Sequence, residues 1–265
     1  MSIHIANPLK QRLRAGEPVL GMNVRLGRSG DIARIAKATG HDFIFIDCQH
    51  SIFTLETICH IAQVAMAIGI APLVRVKSIQ DPDVPVLLDS GVAGIVYPDI
   101  NTAEQAQQAV EVCRFAPMGK RSVVGGYPHF DYKSVPLTDA ITALNEACLL
   151  VCMIETAQGL ENIEAICATP GIDVIHMGTN DFAANIGKPG QFDDPEVVAA
   201  QARVIEVAKK HGKFAGCGGN RDVARQARAI KSGAQFVTTQ SDISFIMTAG
   251  QQWVSGVRDA LAKGD

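Results

Sequence analysis

The sequence predicts a single (β/α)8 barrel that spans residues 1–265. Short runs of apolar and β-branched residues alternate with helical patterns along the whole chain, which is typical of a parallel sheet with helical connections. The chain has 265 residues, 47% of them hydrophobic, and this is enough to bury one large core. No linker divides it. An open doubly wound sheet is the alternative, but no G-x-G-x-x-G follows the first strand.

Eight runs are predicted to be strands, and their number fits a closed barrel. In order they are VLGMNV (19–24), DFIFID (42–47), APLVRV (71–76), AGIVYP (93–98), CLLVCMIE (148–155), DVIHMG (173–178), KFAGCG (213–218) and FVTTQ (236–240).

Between the strands, apolar residues recur at helical spacing, and several helical segments end at a glycine that suits a left-handed C-cap. Examples are SGDIARIAKATG (29–40), TAEQAQQAVEVCRF (102–115), PEVVAAQARVIEVAKKHG (195–212) and RDVARQARAIKSG (221–233). Residues 115–145 interrupt the alternation with a long segment that mostly lacks periodicity. Loops of that length in compact domains are usually functional. This one follows the fourth helix, so its relation to the barrel mouth is open.

Composition indicates a cytoplasmic protein that acts on small molecules. The 24 basic and 27 acidic residues form no basic run, which argues against a nucleic-acid partner. Seven cysteines without a C-x-x-C pair favour reduced thiols. The N-terminus lacks the apolar region of a secretory signal, and the most apolar stretch, residues 58–74, is broken by Gly69 and Pro72. We therefore expect no membrane span.

Active sites of (β/α)8 barrels lie at the carboxyl ends of the strands, so polar residues there are candidate functional groups. Glu155 ends the fifth strand and Asp181 follows the sixth. Two carboxylates without a nearby cysteine or second histidine suit a hard divalent ion such as Mg²⁺ or Mn²⁺. The alternatives are an ion pair for Glu155 and a helix cap for Asp181.

The second and third strands supply a histidine, an acid and an arginine. His50 comes three residues after Asp47, and we expect the acid to orient the imidazole as a general base. Arg75 lies among apolar residues, so it needs an anionic or carbonyl partner. That partner is the substrate or, alternatively, one of the same acids. Gln49 stands between Asp47 and His50 as a candidate substrate contact.

The stretch GTND after the sixth strand can bind a carboxylate. Gly178 allows close approach to the backbone, and the amides of Asn180 and Asp181 open toward the next helix, with Thr179 as a further candidate substrate contact. Ordinary helix capping is the alternative. GCGGN after the seventh strand is interpreted as room for substrate or a tight turn, and Arg25 and Arg28 as parts of a solvated loop.

These residues together resemble the HpcH/HpaI family of class II pyruvate-dependent aldolases, within the phosphoenolpyruvate/pyruvate barrel superfamily. The resemblance covers nearly the whole chain. Its motifs are D-x-x-H after strand two (Asp47, His50), V-R in strand three (Arg75), D-P followed by L-L-D-x-G (81–82 and 87–91), I-E-T in strand five (Glu155) and G-x-x-D after strand six (Gly178, Asp181).

The resemblance implies a divalent metal (Mg²⁺, Mn²⁺ or Co²⁺) held by Glu155 and Asp181, with a 2-oxo acid chelated to it and Arg75 at the keto oxygen. It also implies that His50 acts with water as the acid/base. Asp89 would reach the active site of a neighbouring subunit. Members of the family form hexamers with an exchanged final helix, for which residues 244–264 are the candidate.

Several positions depart from the family pattern. They bear on which substrate is bound more than on which type of reaction is catalysed. Gln49 stands where many members have glutamate, Asn23 where a tryptophan is often found, and Met153 where a glutamine precedes the metal glutamate. GTND replaces the usual G-P-x-D. These changes alter pocket walls and leave the metal acids, arginine and histidine in place.

The leading hypothesis is a metal-dependent aldolase, a carbon–carbon lyase that reversibly cleaves a 4-hydroxy-2-oxo acid to pyruvate, or a close analogue, and an aldehyde. A malyl- or citramalyl-CoA type lyase shares the metal acids, but no clear basic cluster is present for the CoA nucleotide. A non-catalytic barrel that binds a keto acid is the third hypothesis.

Overall fold

A computed structural model describes residue 5 and residues 7–263, and its eight parallel strands form a closed barrel in chain order. The predicted fold is confirmed, and each predicted strand coincides with an observed one. The strands are β1 Val19–Val24, β2 Phe43–Asp47, β3 Ala71–Arg75, β4 Gly94–Tyr97, β5 Leu149–Ile154, β6 Val174–Gly178, β7 Phe214–Gly218 and β8 Phe236–Ser241.

Twelve helices are found among the described residues, and one 3-10 turn, Pro128–Phe130, lies between the fifth and sixth. The helices are α1 Pro8–Arg14, α2 Asp31–Ala38, α3 Leu55–Ile68, α4 Val84–Asp89, α5 Ala103–Cys113, α6 Leu137–Ala147, α7 Ala157–Glu161, α8 Ile163–Ala168, α9 Thr179–Asn185, α10 Pro195–Lys210, α11 Val223–Ser232 and α12 Asp242–Lys263. None of these helices is long and apolar enough to cross a membrane.

Local chemistry sets the helix ends. Helix α3 begins after Thr54, whose side chain accepts the amide of Thr57, and ends at Gly69 with φ of 72°. Helix α5 begins with a reciprocal capping box between Thr102 and Gln105. Such caps satisfy the backbone groups that a helix end leaves unpaired.

Both faces of the sheet are buried, which explains why the strands read as continuous apolar runs. All residues of β2, β3 and β5 are buried. Inward-facing side chains such as Phe43, Phe45 and Phe236 fill the barrel, and outward-facing ones such as Ile44 pack against the helices. The interior is therefore a packed core that opens only at its ends.

The irregular segment between α5 and α6 lies at the amino-terminal end of the barrel, opposite to the strand ends expected to carry the site. A cavity of about 230 Å³ there is bordered by Arg121 and His129 of that segment and by Ala71, Ala93 and Cys148 at the starts of β3, β4 and β5. The segment therefore does not shape the mouth of its own barrel.

Asp89, at the end of α4, lies at this same end and forms an ion pair with Arg121 at 2.5 Å. Sequence analysis placed Asp89 among the catalytic residues of a neighbouring subunit. Within one chain it is remote from the mouth, and its role across a subunit interface stays a prediction.

A buried cluster of charges closes the amino-terminal end. Arg114 donates to Asp173 at 2.7 Å and to the carbonyl oxygens of Asn145, Cys148 and Gly171. Lys10 forms a second ion pair with Asp173 at 2.7 Å. These contacts join α1, the end of α6 and the starts of β5 and β6.

Replacing Arg114 with Ala should lower the free energy of unfolding by about 3–5 kcal/mol, because it leaves Asp173 short of a buried partner. Urea denaturation measures the change. Arg203→Ala is the matched control: it removes the exposed pairs to Glu164 and Glu206 and should cost less than about 1 kcal/mol. Equal losses in the two variants would contradict the structural importance of the cluster.

Candidate active site

A cavity of about 180 Å³ opens at the carboxyl ends of the strands, and we call it the mouth cavity. It brings together most of the residues that the sequence singled out. It is lined by Asn23, Arg25, Phe45, Asp47, His50, Arg75, Met153, Glu155, His176, Gly178, Asn180, Asp181, Gly219, Arg221 and Thr238.

Asp47 and Arg75 form a buried bidentate ion pair at the ends of β2 and β3. The Nε of Arg75 donates to Oδ1 of Asp47 at 3.0 Å and its Nη2 to Oδ2 at 2.8 Å. Burial raises the pKa of Asp47, but the hydrogen bonds and charge of Arg75, with the amide of His50, outweigh it and hold the pKa below its usual value. The alternative reading of Arg75 as the partner of an acid is therefore correct, although the guanidinium still borders the cavity.

His50 lies at the rim, and its relation to Asp47 differs from the expectation. Oδ1 of Asp47 accepts the backbone amide of His50 at 3.2 Å, so the acid orders the loop that carries the imidazole rather than the imidazole itself. Arg25 contributes to the same loop: its Nη2 donates to the carbonyl oxygen of His50 at 3.3 Å and its Nε to Ser51 at 3.4 Å. The His50 ring borders the cavity and is exposed.

Glu155 is a buried carboxylate with one oxygen left free. It is 2% exposed, and its Oε2 accepts the backbone amide of Asp99 at 3.0 Å. Its Oε1 is buried and has no hydrogen-bond partner among the described residues. Burial raises the pKa of Glu155 to about 8, and the negative charges of Asp99 and Asp181 act in the same direction. Glu155 does not form the ion pair considered as its alternative with any lysine or arginine of the described chain.

Gly178 makes room for this carboxylate. A Cβ at Gly178 would lie 2.4 Å from Oε1 of Glu155, so any other residue would push the side chain aside. Asp181 follows in the first turn of α9 and borders the same cavity. Neither Thr179 nor Asn180 caps this helix by its side chain, so the capping alternative is not observed.

The donor set fits a hard divalent cation. Glu155 and Asp181 border the same cavity, one oxygen of Glu155 has no partner among the described residues, and carboxylate oxygens are the preferred ligands of Mg²⁺ and Mn²⁺. No group of three or more histidine, cysteine, aspartate or glutamate ligands occurs within residues 5 and 7–263. Two protein ligands would leave the other positions of such an ion to water and substrate oxygens.

Two of the predicted substrate contacts lie beside the cavity instead of lining it. Gln49 donates to Oδ2 of Asp99 at 3.5 Å, and its Oε1 is buried without a partner in the described chain. Thr179 is 1% exposed, and its hydroxyl also has no partner there. Asn180 and Gly178 border the cavity as predicted.

Sequence analysis missed Asp99, His176, Thr238 and Arg221. Asp99 lies two residues after the end of β4 and takes a φ of 53°. Its position directly after the predicted strand 93–98 was the signal that could have found it. His176 and Thr238 have inward-facing positions on β6 and β8, which side-chain alternation would have identified. Arg221 lies in the β7–α11 loop, and no local sequence pattern distinguishes it as a site residue.

Known proteins resemble this chain over most of its length. Residues 25–249 match the HpcH/HpaI aldolase/citrate lyase family. The chain belongs to that family. It is 32% identical over 256 residues to a 4-hydroxy-4-methyl-2-oxoglutarate aldolase of Chaetomium globosum, covering 95% of each chain. It is also 32% identical over 253 residues to a hydroxypyruvate/pyruvate aldolase of Cupriavidus necator, covering 96% of this chain and 93% of the relative.

A solved structure of an HpcH/HpaI aldolase from Desulfitobacterium hafniense superimposes with a TM-score of 0.90 at 29% identity, covering 94% of this chain and 96% of the other. The family and these relatives confirm the predicted resemblance and the predicted class of enzyme, a carbon–carbon lyase.

Asp47→Asn should lower the free energy of unfolding at pH 7 by about 3–5 kcal/mol, because it leaves the buried Arg75 guanidinium without its counter-charge. The folded-state pKa of Asp47 is depressed, so its stabilisation is present above the unfolded pKa and is lost as pH falls through the folded value. The gap between the proteins should therefore begin to narrow below about pH 4, the usual pKa of an aspartate, and continue to close as pH falls further. Urea denaturation from pH 7 to pH 3 checks this, and a constant gap would contradict it.

Proposed function

We propose that the protein is a divalent-metal-dependent aldolase that reversibly cleaves a 4-hydroxy-2-oxo acid into pyruvate, or a close analogue, and an aldehyde. The observation that carries the proposal is the buried Oε1 of Glu155, which has no partner among the described residues, on a side chain that lines one cavity with Asp181, Arg75 and His50. The names of the aldolase relatives support the same reaction type. They give no comparable support to a CoA-thioester lyase or to a non-catalytic barrel.

Glu155 and Asp181 would hold Mg²⁺, Mn²⁺ or Co²⁺, which supplies a positive charge that favours formation of an enolate from the 2-oxo acid. The residues of the protein bind the substrate, stabilise its developing charge and transfer the proton. Gly178 and the amides near Asn180 leave space at the start of α9 for the substrate carboxylate.

Arg75 supplies positive charge for the keto oxygen, where negative charge develops during cleavage. Its guanidinium is 5.5 Å from the ring centroid of Phe45 and is locked by Asp47. Because the ion pair fixes the guanidinium before substrate arrives, little reorganisation is needed as charge develops.

His50 would accept the proton of the 4-hydroxyl during cleavage, directly or through a water, and return it during aldol addition. Its position at the rim suits this role, since the aldehyde portion of the substrate must enter from solvent. Asp47 acts by holding the His50 backbone and Arg75 in place.

Helix α12 is proposed as an interface with further copies of the chain. Ile246, Trp253, Val257 and Leu261 recur at spacings of seven and four residues, so they share one face, and each is at least half exposed. A hexamer with this helix exchanged between subunits agrees with the family resemblance. We also propose a cytoplasmic location, in keeping with seven free cysteines.

Exchange of the methyl protons of pyruvate in D₂O tests enolate formation without knowledge of the aldehyde. EDTA should abolish the exchange, and Mg²⁺, Mn²⁺ or Co²⁺ should restore it. Glu155→Gln should lose both exchange and metal binding measured by calorimetry. His50→Ala should keep metal binding but lose aldol cleavage by at least roughly 100-fold.

Full activity in both Glu155→Gln and His50→Ala would contradict the proposed roles of Glu155 in metal binding and of His50 in proton transfer. Metal-dependent binding of pyruvate without any proton exchange would instead favour the non-catalytic barrel.

Trp253→Glu combined with Val257→Glu should reduce the molar mass measured by light scattering from that of an oligomer to that of a smaller species, because two charges enter the apolar face of α12. Ser255→Glu, on the opposite face of the same helix, is the control and should leave the mass unchanged. A wild-type protein that is already monomeric would refute the proposed interface.

A further inference from the structure

The carboxylate of Glu155 belongs to a closed ring of hydrogen bonds, which we call the Glu155 ring. It consists of Asp99, Asn101, Glu155 and Thr156. The backbone amide of Asp99 donates to Oε2 of Glu155 at 3.0 Å, and Nδ2 of Asn101 donates to the carbonyl oxygen of Asp99 at 2.9 Å. The hydroxyl of Thr156 donates to Oδ1 of Asn101. Because Thr156 directly follows Glu155 in the chain, this last contact closes the ring.

The Glu155 ring joins the loops that follow two adjacent strands, β4 and β5. The amide of Ile100 donates to the carbonyl oxygen of Met153 at 3.1 Å, so strand-like pairing continues into the first of these loops. A Cβ on Gly159, in α7, would lie 2.8 Å from the carbonyl oxygen of Ile100. A larger residue there would push the start of α7 away from the loop after β4. The close approach of α7 is therefore what brings Thr156 within reach of Asn101.

Helix capping alone does not account for Thr156. Its Oγ1 accepts the amide of Gly159 at 3.0 Å, which is the usual contact of a threonine that precedes a helix. A cap needs only an acceptor, yet the hydroxyl of Thr156 also donates to Asn101. Thr102 shows the difference, because it caps α5 through the amide of Gln105 and takes no part in the Glu155 ring.

The ring fixes an unusual backbone conformation against the carboxylate. Asp99 takes a φ of 53°, in the left-handed region that residues other than glycine seldom adopt. The donation from Asn101 to its carbonyl oxygen stabilises this conformation, in which the amide of Asp99 meets Glu155. With Oε2 engaged by that amide, Oε1 is the oxygen of Glu155 that has no partner among the described residues.

We propose that Asn101 and Thr156 are positioning residues, which hold Glu155 in the orientation that leaves Oε1 available to the divalent metal. This role rests on the proposed function, in which Glu155 is a metal ligand. Neither residue is among those that line the mouth cavity, so both act through Glu155 and not on the substrate. Loss of a hydrogen-bonding partner behind a metal ligand typically weakens metal binding by about 10- to 100-fold.

Thr156→Val tests the proposal, because it removes the hydroxyl, keeps the shape of the side chain and opens the ring. The Kd for Mn²⁺, measured by calorimetry, should rise at least about tenfold. Thr156→Ser keeps a hydroxyl that can donate and should retain a Kd close to that of the wild type. Thr102→Val is the matched control: it removes a threonine cap after the same loop without breaking the ring, so its Kd should stay unchanged.

Hydrogen exchange of the Asp99 amide gives a readout that needs no metal. In metal-free protein, Glu155 protects this amide, and its exchange followed by NMR should be at least about tenfold faster in Thr156→Val but unchanged in Thr102→Val. Asn101→Ala breaks the ring at another contact. It should show both effects, and it replaces Thr156→Val as the test if that variant does not fold.

An unchanged Kd or unchanged Asp99 exchange in the folded ring variants would overturn the proposal. An equal loss of metal binding in Thr102→Val, or no recovery in Thr156→Ser, would also overturn it. Wild-type protein that binds no Mn²⁺ would instead contradict the proposed function, while exchange of the Asp99 amide would still show whether the ring holds Glu155.

Discussion

The ion pair between Asp47 and Arg75 is the contact on which the site depends. It joins the ends of two adjacent strands with two hydrogen bonds, and the same carboxylate accepts the amide of His50. The guanidinium that would meet the substrate and the loop that carries the proposed base are therefore positioned by one buried acid. Breaking such a pair leaves an uncompensated charge inside the barrel, so the pair couples stability to the arrangement of the site.

A second constraint acts on Glu155. Its burial and its acidic neighbours oppose ionisation, and only the absence of a side chain at Gly178 lets it occupy its position. In the protein by itself this carboxylate is costly, since one oxygen has no partner in the described residues. A cation bound at the proposed site would relieve that cost, because it would supply a partner for the unpaired oxygen.

The two ends of the barrel use charge for different purposes. At the amino-terminal end Arg114, Lys10 and Asp173 pair with one another and with several backbone carbonyls, so that cluster stabilises the fold, although Nε of Arg114 has no partner among the described residues. At the mouth several polar atoms are left unpaired, including those of Glu155 and His176. Because buried polar groups are nearly always paired, a bound cation or substrate would supply the missing partners at the mouth.

The fold could be predicted from the sequence because its signals are local. Strand runs, helical spacing and terminal glycines depend on neighbouring residues, and all eight strands were located in this way. The residue types at the strand ends were equally visible, which is why Glu155, Asp181, Arg75 and His50 could be named as candidate site residues.

Which side chains pair with one another at the site could not be predicted from local patterns. The short spacing of Asp47 and His50 indicated a contact between their side chains, whereas closure of the sheet brought Arg75, 28 residues away, to the same carboxylate. Asp99 meets Glu155 across 56 residues, and no local pattern reports that contact. The sequence by itself determined the strands and the chemistry available at their ends, because both follow from local residue patterns. Only the closed barrel decided which of those groups pair and which stay free, because that depends on distances between residues far apart in the chain.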